Sequence, residues 1–116
     1  METVTIQDFQ KLDIRIGTVV EAEVPKWNHW VIKLTVDLGK EIGKKTIFAG
    51  IMKFYKPEDL IKKQVPVVVN LEPKRIGPEG DTSEGMVLMA VEKEDEETPP
   101  TLLTVDKKVP NGTKIR

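Results

Sequence analysis

Apolar and polar residues alternate with a period of two along several stretches of the chain. Leu12, Ile14 and Ile16 alternate with Asp13, Arg15 and Gly17; Val20, Ala22 and Val24 then alternate with Glu21 and Glu23. This pattern predicts one long strand over 12–24, with a bulge or sharp bend around Gly17-Thr18. Residues 31–38 alternate again, and 46–51 form a third strand after a turn over 39–43. Residues 65–71 and 86–92 read as the fourth and fifth strands. Pro66, which cannot donate to a ladder, belongs near the start of the fourth or on an edge. Two short helical signals interrupt the strands. Thr5-Ile6-Gln7-Asp8 has the hydroxyl-x-x-acid form of a helix start and predicts a helix over 6–10. Pro57, followed by Glu58 and Asp59, predicts another over 57–61. Leu102 to Val105 forms a short extra strand, and Pro110-Asn111-Gly112 turns the chain into its last residues. Five strands with a short helix between the third and fourth is the element order of an oligonucleotide/oligosaccharide-binding (OB) barrel. The expected fold is therefore all-β: a five-stranded OB barrel with short helices at the N-terminus and between strands 3 and 4, plus a C-terminal extension. One domain is expected to span residues 1–116.

Composition narrows the chemistry. The 116 residues, 39% of them apolar, suffice for a single core. Cysteine is absent, which removes disulfide and thiolate chemistry. No apolar run approaches the ~20 residues of a membrane helix. The N-terminus has no basic-then-apolar leader, so a cytoplasmic location without membrane contact is expected. Net charge is −1, but its distribution is uneven. Residues 40–75 hold nine cations against four acids, whereas 76–106 hold nine acids against Lys93 alone. A nearly neutral chain can thus still present a positive face.

Catalytic patterns fail on inspection. His29 is the only histidine, and its neighbours Trp27, Asn28 and Trp30 offer no ligand pair for a metal. Ser83, the only serine, lacks the Gly-x-Ser-x-Gly context of a nucleophile. Gly39-Lys40-Glu41-Ile42-Gly43-Lys44-Lys45 is one residue short of a phosphate loop and has Lys45 where Ser or Thr is required. The acids of 92–97 lie along one loop and are read as a solvated run. No catalysis, metal or cofactor is expected.

Binding chemistry remains. Lys53 lies among aromatics in Met52-Lys53-Phe54-Tyr55-Lys56, and Lys74-Arg75 open the segment between the fourth and fifth strands. Asn70 precedes that segment, and Ser83 and Met86 close it. Cations and amides for phosphate and 2′-OH, with apolar side chains against exposed bases, suit a folded RNA. The candidate RNA-binding residues are Asn70, Lys74, Arg75, Ser83, Met86 and Lys53.

Longer motifs carry a resemblance. Phe9-x-Lys11-Leu12-Asp13-Ile14-Arg15-Ile16-Gly17, Lys33 to Gly39, Ala49-Gly50-Ile51-x-Lys53-x-Tyr55-x-Pro57-Glu58-Asp59-Leu60, Val68-Val69-Asn70-Leu71-x-Pro73-Lys74-Arg75 and Ser83-Glu84-Gly85-Met86-x-Leu88 follow in order. Together they resemble the structure-specific tRNA-binding domain of methionyl-tRNA synthetases, free-standing tRNA-binding proteins and relatives of endothelial monocyte-activating polypeptide II. The resemblance implies a non-catalytic OB-type homodimer that grips tRNA by its shape, alone or as an accessory to methionyl-tRNA synthetase. It places Asn70, Lys74, Arg75, Ser83 and Met86 on the RNA-facing loop with Lys53 beside it. Residues 12–17 and part of the C-terminal tail fall on the dimer side. Two departures stand out: Trp30 occupies the place of a family lysine, and Pro78-Glu79-Gly80-Asp81 insert acid beside the basic pair. The alternative reading is a protein-interaction, chaperone-like OB dimer without strong RNA binding.

Overall fold

The computed structural model describes residues 1–27, 30–78 and 80–116. His29 and Glu79, singled out above, lie outside the described residues. The main strands are β1 (Ile14–Glu23), β2 (Ile32–Asp37), β3 (Lys44–Ala49), β4 (Gln64–Val68) and β7 (Met86–Val87), in the sheet order β3-β2-β1-β4-β7. Before β7 come two short strands, β5 (Lys74–Ile76) and β6 (Asp81–Ser83), which pair as a hairpin. After it, β8 (Met89–Ala90) pairs with β9 (Thr101–Leu102), and β10 (Lys114–Ile115) returns to β1. The sheet curls into the all-β, OB-like barrel expected from the element order. No described helix is long and apolar enough to cross a membrane.

Alternation in β2 is complete: Ile32, Leu34 and Val36 are buried between partly exposed Lys33, Thr35 and Asp37. They join Val19, Leu38, Ile47, Ile51, Leu60, Val65 and Val67 in one core. Each such side chain contributes about 1.5–3 kcal/mol on burial. The helix α1 (Ile6–Gln10) starts where predicted, and the Thr5 hydroxyl accepts from the Asp8 N–H at 3.1 Å.

Several expectations need correction. The bulge in β1 lies at Val20, where the register against β2 slips between Val19 and Glu21, not at Gly17-Thr18. Gly17 is small for another reason: a Cβ there would lie 2.6 Å from Val36 Cγ1 and 2.9 Å from the Asp37 carbonyl. The turn over 39–43 contains a single helical turn, α2 (Gly39–Ile42), and the helix after Pro57 is a 3₁₀ turn, Pro57–Asp59. The fourth strand stops at Val68 rather than at 71, and the fifth is broken at Leu88. Pro66 accounts for that break. Its carbonyl accepts from the Leu88 N–H at 3.0 Å, but it returns no donor, so the β4–β7 ladder ends there. The chain then pairs with Thr101–Leu102 instead.

Candidate nucleic-acid interface

Strands β2 and β3 of the barrel meet the ends of two loops, one after β1 and one after β4. The loop after β4 is not irregular. Lys74 pairs with Ser83, Arg75 with Thr82 and Ile76 with Asp81, closing around Gly77 and Gly80, both with positive φ. One face of the hairpin meets the barrel. The Ser83 hydroxyl accepts from the Phe48 N–H at 3.1 Å and donates to the Gly85 carbonyl at 3.3 Å. The Glu84 N–H donates to the Thr46 carbonyl at 2.8 Å, while the Thr46 N–H donates to Glu84 Oε1 at 3.0 Å. Ser83 and Glu84 therefore pair with the free edge of β3 where the barrel would otherwise stay open. Gly85 fits this seam because a Cβ would lie 2.8 Å from the Val68 carbonyl.

Trp27, at the end of the loop after β1, is the bearing on which the hairpin sits. Its ring lies 6.0 Å from that of Phe48, tilted by 40°. Its Nε1–H donates to Asp81 Oδ2 at 3.4 Å. A Cβ on Gly77 would come within 2.6–2.8 Å of the indole, so a glycine there lets the hairpin backbone lie directly on the ring. Lys33 lies 3.9 Å from both Glu23 and Asp81, and Lys45 pairs with Glu84 at 3.7 Å. The acid at Asp81 is thus engaged with Lys33 and Trp27, inside the joint rather than beside an incoming phosphate.

Of the six candidate residues, Lys74, Arg75 and Met86 are exposed on this rim, and neither cation forms an ion pair among the described residues. The Arg75 guanidinium lies over the hairpin turn, its Nη2 3.4 Å from where a Cβ on Gly80 would stand. Ser83 is buried in the seam. Asn70 is also exposed, and its side chain is engaged: its Oδ1 accepts from the Asp13 N–H at 2.8 Å and its amide donates to the Lys11 carbonyl at 2.7 Å. That amide clamps the lead into β1. Lys53 lies 5.7 Å above the Phe54 ring and donates to the Glu96 carbonyl at 3.0 Å. It belongs to a neighbouring groove of about 560 Å³ lined by Trp30, Phe54, Val91 and Pro100 with Glu94 and Asp95 on its rim. Asp95 accepts from the Thr98 N–H and hydroxyl and from the Glu97 N–H, and these bonds, the Thr98 N–H foremost, hold its carboxyl below the ordinary carboxylate range. Residue-by-residue reading missed the role of Trp27, Phe48 and Asp81. The available signal was a tryptophan just after a strand, together with the glycines at 77 and 80 that precede Asp81.

A nearly closed five-stranded barrel with a basic hairpin beside β3 defines the class of OB-like modules. The family described as "Putative tRNA binding domain" matches residues 14–114, and the chain belongs to it. Among the relatives, methionine–tRNA ligase of Methanocaldococcus jannaschii is 48% identical over all of this chain, which spans 17% of the ligase's length. A MetRS related protein of Pyrococcus horikoshii has a structure of TM-score 0.86 at 35% identity, each chain covered in full. The chaperone CsaA of Bacillus anthracis superposes with TM-score 0.84 at 43% identity, covering 99% of this chain and all of that one.

Proposed function

We propose that the chain binds folded tRNA by shape, without catalysis, as one module acting alone or beside a methionyl-tRNA synthetase in the cytoplasm. The observation that carries this reading is the rim itself. Lys74 and Arg75 stand exposed on a braced hairpin while Asp81 and Glu84 are paired with Lys33 and Lys45. Lys74 and Arg75 contact phosphates, Met86 lies against a base or ribose, and Lys53 extends the cationic edge. Asn70 and Ser83 hold the surrounding backbone in place. In the Lys74→Ala, Arg75→Ala double variant, affinity is expected to fall about equally for all tRNAs. The slope of log K against log salt flattens by about one for each lost contact. The measurement is a fluorescence-anisotropy titration at several salt concentrations; parental binding by the variant would remove the hairpin from the interface.

The working unit is a homodimer. Helix α1 buries none of its residues, and Val4, Ile6 and Leu12 are 73%, 65% and 41% exposed. Phe9, Leu12 and Ile115 line a groove beside it. A five-residue helix is marginal without packing, and a second copy supplies the missing cover. Light scattering should give twice the mass of one chain, and Ile6→Asp with Leu12→Asp should halve it; a monomeric parent would contradict the interface.

One observation favours a second reading, the binding of peptide segments. The groove lined by Trp30, Phe54, Val91 and Pro100 is mostly apolar, and Glu94, Asp95 and Glu96 outnumber Lys53 and Lys93 around it. A peptide with both apolar and basic side chains fits that surface. Such a peptide would be displaced by Phe54→Ser but not by the Lys74→Ala, Arg75→Ala pair, and the reverse pattern would exclude the groove.

A further inference from the structure

A second cationic feature lies at the other end of β4 from the hairpin. Leaving the 3₁₀ turn, the chain passes through Lys62, whose φ of 74° places it in the left-handed region. A lysine held there carries backbone strain that a glycine would avoid. Pairing with β1 fixes the conformation: the Lys62 N–H donates to the Val19 carbonyl at 2.8 Å, and the Val19 N–H to the Lys63 carbonyl at 3.0 Å.

Opposite this turn runs the segment 104–111, pinned by the buried Gln64. The Gln64 amide donates to the Val109 carbonyl at 2.7 Å, and its Oε1 accepts from the Val109 N–H at 3.0 Å, as a backbone partner would. Asn111 Oδ1 accepts from both Gln64 Nε2 at 3.0 Å and the Thr18 hydroxyl at 2.7 Å. Both walls are therefore braced. Between them is a cleft of about 560 Å³ lined by Thr18, Lys62, Lys63, Gln64, Thr104 and Lys108.

Three exposed lysines, two from one wall and one from the other, line this cleft. No carboxylate lines it, and none of the three forms an ion pair among the described residues. The nearest acids in sequence point elsewhere or stand outside: Asp59 accepts from the Lys56 N–H at 3.0 Å, and Asp106 is exposed beyond the lining. Like charges lining one cleft that has no lining acid favour the entry of an anion, and the backbone outlier at Lys62 is strain of the kind that clusters at ligand clamps.

We propose that this cleft is a binding site for phosphate groups, held by Lys62, Lys63 and Lys108. The phosphate is either part of the backbone of a bound RNA or belongs to a free polyphosphate compound, since both present the same oxygens. Tripolyphosphate, titrated calorimetrically into the full chain at low salt, should bind one per chain. Lys62→Ala with Lys108→Ala should weaken it about tenfold. Lys62→Gly removes the charge while relieving the backbone and should weaken binding without loss of thermal stability. Lys40→Ala with Lys44→Ala, an equal change of net charge outside the cleft, is the control. If the cleft variants also lower tRNA affinity and flatten its salt slope, the RNA backbone is the source; if tRNA binding holds, the ligand is a free phosphate compound. Equal tripolyphosphate binding by parent and cleft variants, or an equal loss in the control, would overturn the site.

Discussion

Trp27→Ala is expected to cost the protein nearly as much affinity for folded tRNA as removal of Lys74 and Arg75, although Trp27 carries no charge. The hairpin rests on the indole through Gly77 and is held by the Trp27–Asp81 hydrogen bond at 3.4 Å. The ring rests in turn on Phe48 at 6.0 Å. Truncating this half-buried ring should lower stability by about 2–3 kcal/mol, less than the ~3–5 of a fully buried aromatic. The hairpin would then sample orientations that separate Lys74 and Arg75 from their phosphates, an ordering cost charged to each binding event. Affinity should fall on the order of tenfold or more. A double-mutant cycle provides the check. Trp27→Ala should add little once Lys74 and Arg75 are already alanine, because both changes remove the same contacts. Trp27→Phe, which keeps the ring and loses the Nε1–H, should fall between. Full additivity of Trp27→Ala with the double alanine change would show that the indole acts apart from the hairpin.

The second large effect is on stability. Gly39 has a φ of +86°, and a Cβ there would overlap the Asn111 carbonyl oxygen; Gly112, at +92°, reciprocates against the Leu38 carbonyl at 2.6 Å. The two glycines let the turn after β2 and the C-terminal turn touch backbone to backbone. Around that contact, Arg15 donates to the Gly112 carbonyl at 3.1 Å and the Gly112 N–H donates to the Ile16 carbonyl at 2.7 Å. Asp13, which accepts from Arg15 at 2.6 Å, holds that guanidinium above its ordinary pKa, so it stays a cation throughout. Gly39→Ala combines left-handed strain with an overlap against backbone, which cannot swing away. A loss of about 3 kcal/mol, or roughly 10–15 °C in Tm, is expected. Two other glycines calibrate it. Gly43→Ala carries backbone strain without the overlap, since nothing lies within 4 Å; its φ of 82° and ψ of −161° fall in a region essentially restricted to glycine, and it should cost about 2 kcal/mol. Gly50→Ala has neither burden and should be near neutral. Melting curves for the three variants give the test, and a Gly39→Ala as mild as Gly50→Ala would contradict the account of the contact.

The strands that form the core were legible because their periodicity is local. Ile32, Leu34 and Val36 announce β2 within six residues, and Thr5 with Asp8 announces α1 within four. The hairpin was not, because three-residue strands such as Lys74-Arg75-Ile76 carry too few positions for any alternation to register. The bulge was misplaced for a related reason. Gly17 looks like a break in the pattern, but its smallness serves contacts with Val36 and Leu38, some twenty residues away. In the candidate site, residue type gave the cations and the resemblance gave their surroundings. What each side chain does depends on partners far along the chain: Ser83 on Phe48, Trp27 on Asp81, Asn70 on Asp13. No window of sequence contains those pairs, so exposed contacts and buried braces could not be told apart.

The central claim is that a braced basic rim reads the shape of a folded RNA. The direct test is the affinity of the chain for folded tRNA and for an unstructured RNA of equal length, measured side by side across a salt titration. The account predicts tighter binding to the folded RNA at every salt concentration, with affinity falling as salt rises because phosphate contacts release counterions. Equal affinity for the two RNAs would contradict it.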